Sequence, residues 1–109
     1  MKISLNQTNF FDRTDFNGNV YVKAEDGKGF SALLVNCITS HYKTKLKNAT
    51  RTYLVIEGAG TFTINDKTET ANPGDMFIIS DGDIYEYYGQ MKLFEFNVPG
   101  TNSSNEEKL

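Results

Sequence analysis

The chain has 109 residues, a formal charge of −3 and one cysteine. That length suits one domain with one hydrophobic core, and a single cysteine excludes an intrachain disulfide. The mild acidity and the lack of a clustered basic face argue against nucleic acid as a partner, and no stretch approaches the ~20 apolar residues of a membrane span.

In chain order, the N-terminus lacks the continuous apolar stretch of a signal peptide, so a cytoplasmic protein is expected. The short apolar run at 2–5 reads as a strand able to extend a partner's sheet, and a homodimer is expected from it. Further strands are predicted over 20–24, 31–39, 52–57, 60–65, 67–71, 76–80, 85–88 and 91–98. These runs are rich in Val, Ile, Thr, Phe and Tyr, which fit a pleated, half-buried surface. Turn signals punctuate them: Asn17-Gly18, Asp26-Gly27, Gly58-Ala59-Gly60, Asn65-Asp66, Pro73-Gly74, Ser80-Asp81-Gly82-Asp83 and Pro99-Gly100. No apolar pattern recurs at helical spacing. Many short strands at such intervals predict an all-β sandwich or barrel over residues 1–100.

Individual side chains follow from that pattern. Cys37 sits in an apolar run and reads as a buried, inert thiol. Lys43, Lys45 and Lys47 read as solvated residues of a loop or strand edge. His41, beside Tyr42, reads as a surface-loop histidine, with general acid–base chemistry near neutral pH as the alternative. Phe62 and Ile64 share one face of their strand, and Tyr85 and Tyr87 share one face of theirs, opposite Glu86. Residues 101–109 show no apolar periodicity and predict a flexible polar tail.

The segment Tyr53-Leu-Val-Ile-Glu-Gly-Ala-Gly60, followed by Thr61–Ile64 and then Pro73-Gly74-Asp75, resembles the cupin family. Cupin barrels carry a strand ending in a Glu-Gly-x-Gly turn and a later Pro-Gly-Asp turn. The resemblance covers roughly residues 30–99. It implies a jelly-roll β-barrel of two antiparallel sheets and, in metal-binding members, a site of three histidines and a glutamate. Anchored on Gly58, the glutamate position falls on Arg51 and the first two histidine positions fall near Thr44 and Leu46. The last histidine position falls on Tyr85. None of the four is a usual ligand, and Arg51 adds a permanent cation, so neither a metal nor another cofactor is expected.

What remains is a candidate ligand site of Arg51, Tyr85, Tyr53, Tyr87 and Thr44. Arg51 at an inward position either holds an anionic or carbonyl group or forms a structural ion pair with Glu57, Glu95 or Asp75; a shifted register would instead turn it outward. The tyrosines either line a pocket or fill the barrel. Three functions follow. The first is a metal-free barrel that binds a small polar or anionic molecule, such as a sugar derivative or organic acid. The second is a metal-free sugar isomerase or epimerase using His41 and Tyr85, because proton transfer at carbon needs a positioned acid and base. The third is an accessory subunit whose barrel is filled by aromatic side chains.

Overall fold

A computed structural model describes residues 1–109 as eleven strands with no α-helix. The strands are β1 (Asn9–Asp12), β2 (Phe16–Val22), β3 (Ser31–Cys37), β4 (Ser40–Leu46), β5 (Thr50–Gly58) and β6 (Gly60–Ile64). They continue as β7 (Lys67–Ala71), β8 (Met76–Ile79), β9 (Ile84–Tyr88), β10 (Met91–Val98) and β11 (Glu106–Lys108). Single 3₁₀ turns span Leu5–Gln7, Ala24–Asp26 and Ser103–Asn105. Two antiparallel sheets face each other, one ordered β1-β2-β3-β10-β5-β8 and the other β11-β4-β9-β6-β7. Successive segments cross between the sheets, so β10 lies between β3 and β5 rather than beside β9. This is the jelly-roll barrel.

Strict alternation on the central strands sets what the interior contains. On β10, Met91, Leu93, Glu95 and Asn97 are buried. On β5, Arg51, Tyr53 and Val55 point inward with them. Because β5 and β10 are antiparallel, with Glu95 opposite Tyr53 and Asn97 opposite Arg51, the polar members of both strands fall at the same end. The other end is apolar and aromatic. There Phe62 stacks on Phe77 at a ring distance of 4.2 Å and on Tyr87 at 4.7 Å, and Tyr53 meets Tyr87 edge-on at 5.3 Å. Such aromatic pairs each contribute on the order of 1 kcal/mol beyond area burial. Cys37 is buried in this core, and burial with nearby Asp15 pushes its thiol up to about 11, so it stays protonated and inert.

The turns explain why the strands stop where they do. Asn65 and Asp66 both adopt positive φ, 49° and 67°, making the two-residue hairpin that matches the right-handed twist of β6 and β7. Gly58 has φ +84°, and a Cβ there would collide with the Gln90 carbonyl. The glycine turn thus packs backbone to backbone against the β9–β10 connection, which fixes the end of the hairpin.

Three expectations are corrected. Residues 2–5 do not form a strand: Met1–Ser4 are irregular, Leu5 opens a 3₁₀ turn, and the first strand is β1, antiparallel to β2. The run is too short to pair before that turn. Residues 40–46, not among the predicted strands, form β4, whose alternation is broken by a bulge. Residues 101–109, expected as a flexible tail, contain the last 3₁₀ turn and β11. That strand pairs with the otherwise open edge of β4, joining Glu106 to Leu46 and Lys108 to Thr44. Backbone pairing at an exposed edge needs no apolar periodicity, which is why composition did not reveal it.

Gly58→Ala and Gly74→Ala separate sterics from conformation, because Gly74 also has positive φ (+94°) but open space around its Cβ position. Gly74→Ala is expected to cost about 1 kcal/mol and Gly58→Ala at least about 2–3 kcal/mol, read from denaturant midpoints. Equal losses would show that the close approach to Gln90 contributes nothing.

Candidate functional site

The polar end of the barrel is built around a buried guanidinium. Arg51 Nε donates to Asn97 Oδ1 at 2.6 Å and lies 3.3 Å from Glu95 Oε2. Nη1 donates to the Tyr85 hydroxyl at 2.8 Å and to Glu106 Oε1 at 3.2 Å, and Nη2 donates to Thr101 Oγ1 at 2.9 Å. Asn97 in turn donates its amide hydrogens to Ser31 Oγ and Glu95 Oε2. Burial alone would lower the guanidinium's pKa, but Glu95 and the surrounding oxygens hold it well above its ordinary value. The charge is therefore matched inside the fold by two carboxylates.

Beside this network β4 contributes His41. In β4, His41 faces Tyr87 and Thr44 faces Tyr85, so three steps along β4 match two along β9. The extra residue is a β-bulge, which re-aims the side chains on either side of it. Without it, Thr44 and Tyr42 would share the inner face and His41 would point to solvent. With it, His41 is buried and Tyr42 lies half outside. His41 packs between aromatic rings, 4.7 Å from Phe16, 5.0 Å from Tyr87 and 5.6 Å from Tyr85.

Its protonation state follows from its surroundings. Nδ1 lies 2.7 Å from the Tyr42 carbonyl oxygen, which only accepts, so Nδ1 carries the hydrogen and Nε2 carries the lone pair. Burial lowers the pKa from 6.5 to about 4, against the raising effects of that hydrogen bond and Glu95 and with a further lowering from Arg51. At neutral pH His41 is a neutral imidazole with an unshared basic nitrogen.

His41 and the Arg51 network border a cavity of about 380 Å³. Its polar wall includes His41, Arg51, Tyr87, Glu95, Asn97 and Thr101, and the exposed cations Arg13 and Lys23 also line it. Its apolar wall is Phe11 from β1 with Phe16, Val20, Val22, Leu33 and Val35 from β2 and β3. The Tyr87 hydroxyl is the one buried side-chain polar atom without a hydrogen-bond partner. Tyr53 lies close by but bonds its hydroxyl to Tyr85 at 3.0 Å. Burial raises Tyr87 well above the usual phenol value, so its hydroxyl keeps its hydrogen. A wider groove of about 740 Å³ runs along Met1–Ile3, Lys23 and Lys28, but Val22 is the only fully buried residue lining it. It lacks the organised polar interior of the smaller cavity.

The residues anticipated from sequence separate into two groups. His41, Arg51 and Tyr87 border the cavity. Tyr53, Tyr85 and Thr44 are fully buried but stand behind its wall. Tyr85 bonds to Arg51 and Tyr53, and burial pushes its phenol up to about 12 despite Arg51. His41 and Tyr85 are neighbours, but they stack ring on ring and no hydrogen bond joins them, so Tyr87 replaces Tyr85 as the phenol that shares the cavity with His41. Thr44 directs its hydroxyl to the Glu107 carbonyl in β11. His41 is not the surface-loop residue expected, because the bulge turns it inward. Arg51 does point inward, paired with Glu95 and Glu106. The aromatic side chains fill one end of the barrel and leave the other open.

Glu95, Asn97, Ser31, Thr101 and Glu106 were not anticipated as site residues. For two of them a signal was present: Glu95 and Asn97 continue the core-facing alternation of Met91 and Leu93, and charge or amide on a core face needs a partner. The metal site of the family does not fit here. A guanidinium occupies the ligand region, and no three His, Cys, Asp or Glu side chains converge anywhere in the chain.

The architecture is that of a small double-sheet barrel with a ligand-sized cavity at its polar end. Residues 52–90 match the AraC-like ligand binding domain model. Among solved structures, a variant of Streptomyces Pac13 with uridine superposes with a TM-score of 0.89 at 19% identity, covering 100% of this chain and 89% of that one. Pac13 is described as a nucleoside dehydratase. Ectoine synthase from P. lautus superposes with a TM-score of 0.84 at 19% identity, covering 100% and 89%. The cupin domain of Schizosaccharomyces pombe Cnp3 gives 0.75 at 18% identity, covering 90% and 73%. No curated protein matches the sequence. The fold is a cupin-type barrel, and the chain resembles the cupin superfamily.

Two outcomes follow from the buried groups. Arg51→Ala strands Glu95 in a low-dielectric interior, and is expected to lose about 3–5 kcal/mol of stability in denaturant unfolding. A loss under about 1 kcal/mol would mean that the network is incidental. For His41, the folded pKa of about 4 lies below the unfolded 6.5. Between those values the unfolded chain binds more protons, so stability falls as pH drops from 6.5 towards 4. His41→Gln should flatten that part of the stability profile; an unchanged slope would contradict a buried neutral imidazole.

Proposed function

We propose that this chain is a metal-free barrel that binds a small polar ring compound in the cavity and moves a proton on it through His41. The observation that carries this reading is a neutral imidazole with a free Nε2 beside a buried phenol that lacks a hydrogen-bond partner. An unpaired buried hydroxyl costs about 1–3 kcal/mol. The Tyr87 hydroxyl has no accessible surface in this structure, so a ligand recovers that cost only when the cavity wall shifts to admit it. The apolar wall of β2 and β3 suits the face of a ring, while the polar wall suits its substituents.

Comparison with Pac13 supports the same residues. Variants of that protein determined with uridine carry substitutions at one histidine and two tyrosines. Its two tyrosines are separated in sequence as Tyr53 and Tyr87 are here, and its histidine precedes the first by one residue more than His41 precedes Tyr53. This spacing supports the reading that the site takes ligands of the nucleoside or sugar class and performs acid–base chemistry. In a dehydration, Nε2 takes a proton from carbon and returns it to the departing hydroxyl, which leaves as water. In an isomerisation it returns the proton to a neighbouring carbon or oxygen. Neither route needs an oxidant, and Tyr87 serves as a hydrogen-bond donor to a substrate oxygen.

Calorimetry, thermal shift and product analysis against nucleosides, sugar derivatives and organic acids test this reading. A true ligand raises the melting temperature by mass action. His41→Gln is expected to fold, bind, and lose at least about 10²-fold in turnover. Tyr87→Phe is expected to leave stability equal or improved, because it removes the unpaired hydroxyl, and to weaken binding about tenfold. A chelator should change neither. Unaltered turnover in folded His41→Gln would refute the catalytic assignment, and metal-dependent binding would refute the metal-free one.

A further inference from the structure

The cavity carries a charge of opposite sign to the chain around it. Arg13, Lys23 and Arg51 line it against Glu95 and Glu106, one net positive charge in a chain of formal charge −3. The excess does not sit on Arg51, whose guanidinium is paired with both carboxylates. It sits at the mouth. The one other ion pair of the chain joins Lys67 to Glu69, so Arg13 and Lys23 are both unpaired cations.

The two differ in company and in position. Arg13 donates from Nη1 to the Asp12 carbonyl at 3.3 Å and lies 5.6 Å from the centre of the Phe11 ring. Lys23 meets Asp26 through its backbone N–H, which leaves the ammonium free. Lys23 also borders the neighbouring groove, where Lys2 and Lys28 join it against one carboxylate, Asp26. Positive charge therefore continues outward from Lys23 alone. Arg13 precedes Phe16 and Lys23 follows Val22, so they flank the seven-residue β2 and stand on the order of 20 Å apart along it. No single group of a small ligand reaches both.

We infer that the molecule held in the cavity carries a phosphate at its outer end, and that this phosphate lies against Lys23. This rests on the small-molecule reading given above and narrows the ligand class within it. A phosphomonoester bears close to two negative charges at neutral pH, which suits a rim where three lysines meet one carboxylate. A cleft lined by one sign of charge raises the local concentration of an oppositely charged ligand. The lysine ammonium, a point charge with three rotatable donors, is a recurrent phosphate partner. The anion that Arg51 suggested from sequence alone thus moves outward. Arg51 is already matched by Glu95 and Glu106, and the inner space is left to the ring.

Calorimetric titration with uridine, uridine 5′-monophosphate, ribose and ribose 5-phosphate tests this, in the wild type, Lys23→Gln and Arg13→Gln. In the wild type at low salt, at least one phosphorylated compound should bind about tenfold or more tighter than its neutral parent. Added salt should erode that preference, because the rim is exposed. Lys23→Gln should bring the pair to within about threefold of each other, whereas Arg13→Gln should keep the preference. Equal affinities within both pairs, a preference kept in full by Lys23→Gln, or one lost equally in Arg13→Gln overturns the inference. Should a variant not fold, the wild-type comparison decides. Binding of the neutral compounds without preference for their phosphates defeats this inference alone, whereas binding of none of the four defeats the functional reading and this one with it.

Discussion

The fold depends on how one permanent cation is accommodated inside a sheet-on-sheet barrel. A guanidinium cannot discharge itself at any relevant pH, so a buried arginine must be met by acceptors on several sides. Arg51 is met from β10 by Glu95 and Asn97, from β9 by Tyr85, and from the final segment by Thr101 and Glu106. These partners come from both sheets and from the connection between them. The network therefore does more than neutralise charge: it pins the relative position of β5, β9, β10 and β11. Replacing such a cluster with apolar side chains is often tolerated energetically, so the presence of the network is weak evidence for raw stability, even though breaking it at one partner is costly.

The same arrangement divides the barrel into two chemical halves. Where β5 and β10 carry Val55 and Leu93 the interior closes on Phe62, Phe77 and Tyr87. Where they carry Arg51, Glu95 and Asn97 it stays open, because hydrogen-bonded polar groups do not collapse onto an apolar wall as aromatic rings do. On the far side of the open half β2 and β3 offer mostly aliphatic and phenyl surface, from Phe16, Val20, Val22, Leu33 and Val35, with Ser31 as the polar exception. The cavity thus sits at the boundary between a region packed like a crystal and one held apart by directional bonds.

Much of the barrel was legible in the sequence. The glycine hairpin, the Asn65-Asp66 turn and the alternation in β6, β9 and β10 encode local geometry directly, and the structure places those strands within a residue or two of their predicted limits. The inward direction of Arg51 was also readable, through its spacing from Gly58. His41 was not, because a bulge shifts register by one residue and leaves no compositional trace. β11 was not, because its pairing depends on the backbone edge that β4 happens to present. Glu95 and Asn97 were half legible: their place on the core face follows from alternation, but their bonding to Arg51 depends on a cross-strand register that no single strand contains.

The course of the chain through the cavity wall has a kinetic meaning. Phe11 and Phe16 lie near one end of the described sequence, His41 and Arg51 near its middle, and Glu106 near the other end, yet all border the same space. Such a wall is made almost wholly of non-local contacts, whose loop-closure entropy must be met before any of them is rewarding. The aromatic half can condense from β5 to β10, neighbours in sequence as well as in space. The cavity half must wait for both flanks of the chain. During refolding, native-like tyrosine packing is expected to precede closure of the cavity wall, so spectroscopic recovery of the aromatic half and completion of the cavity are separate events in time.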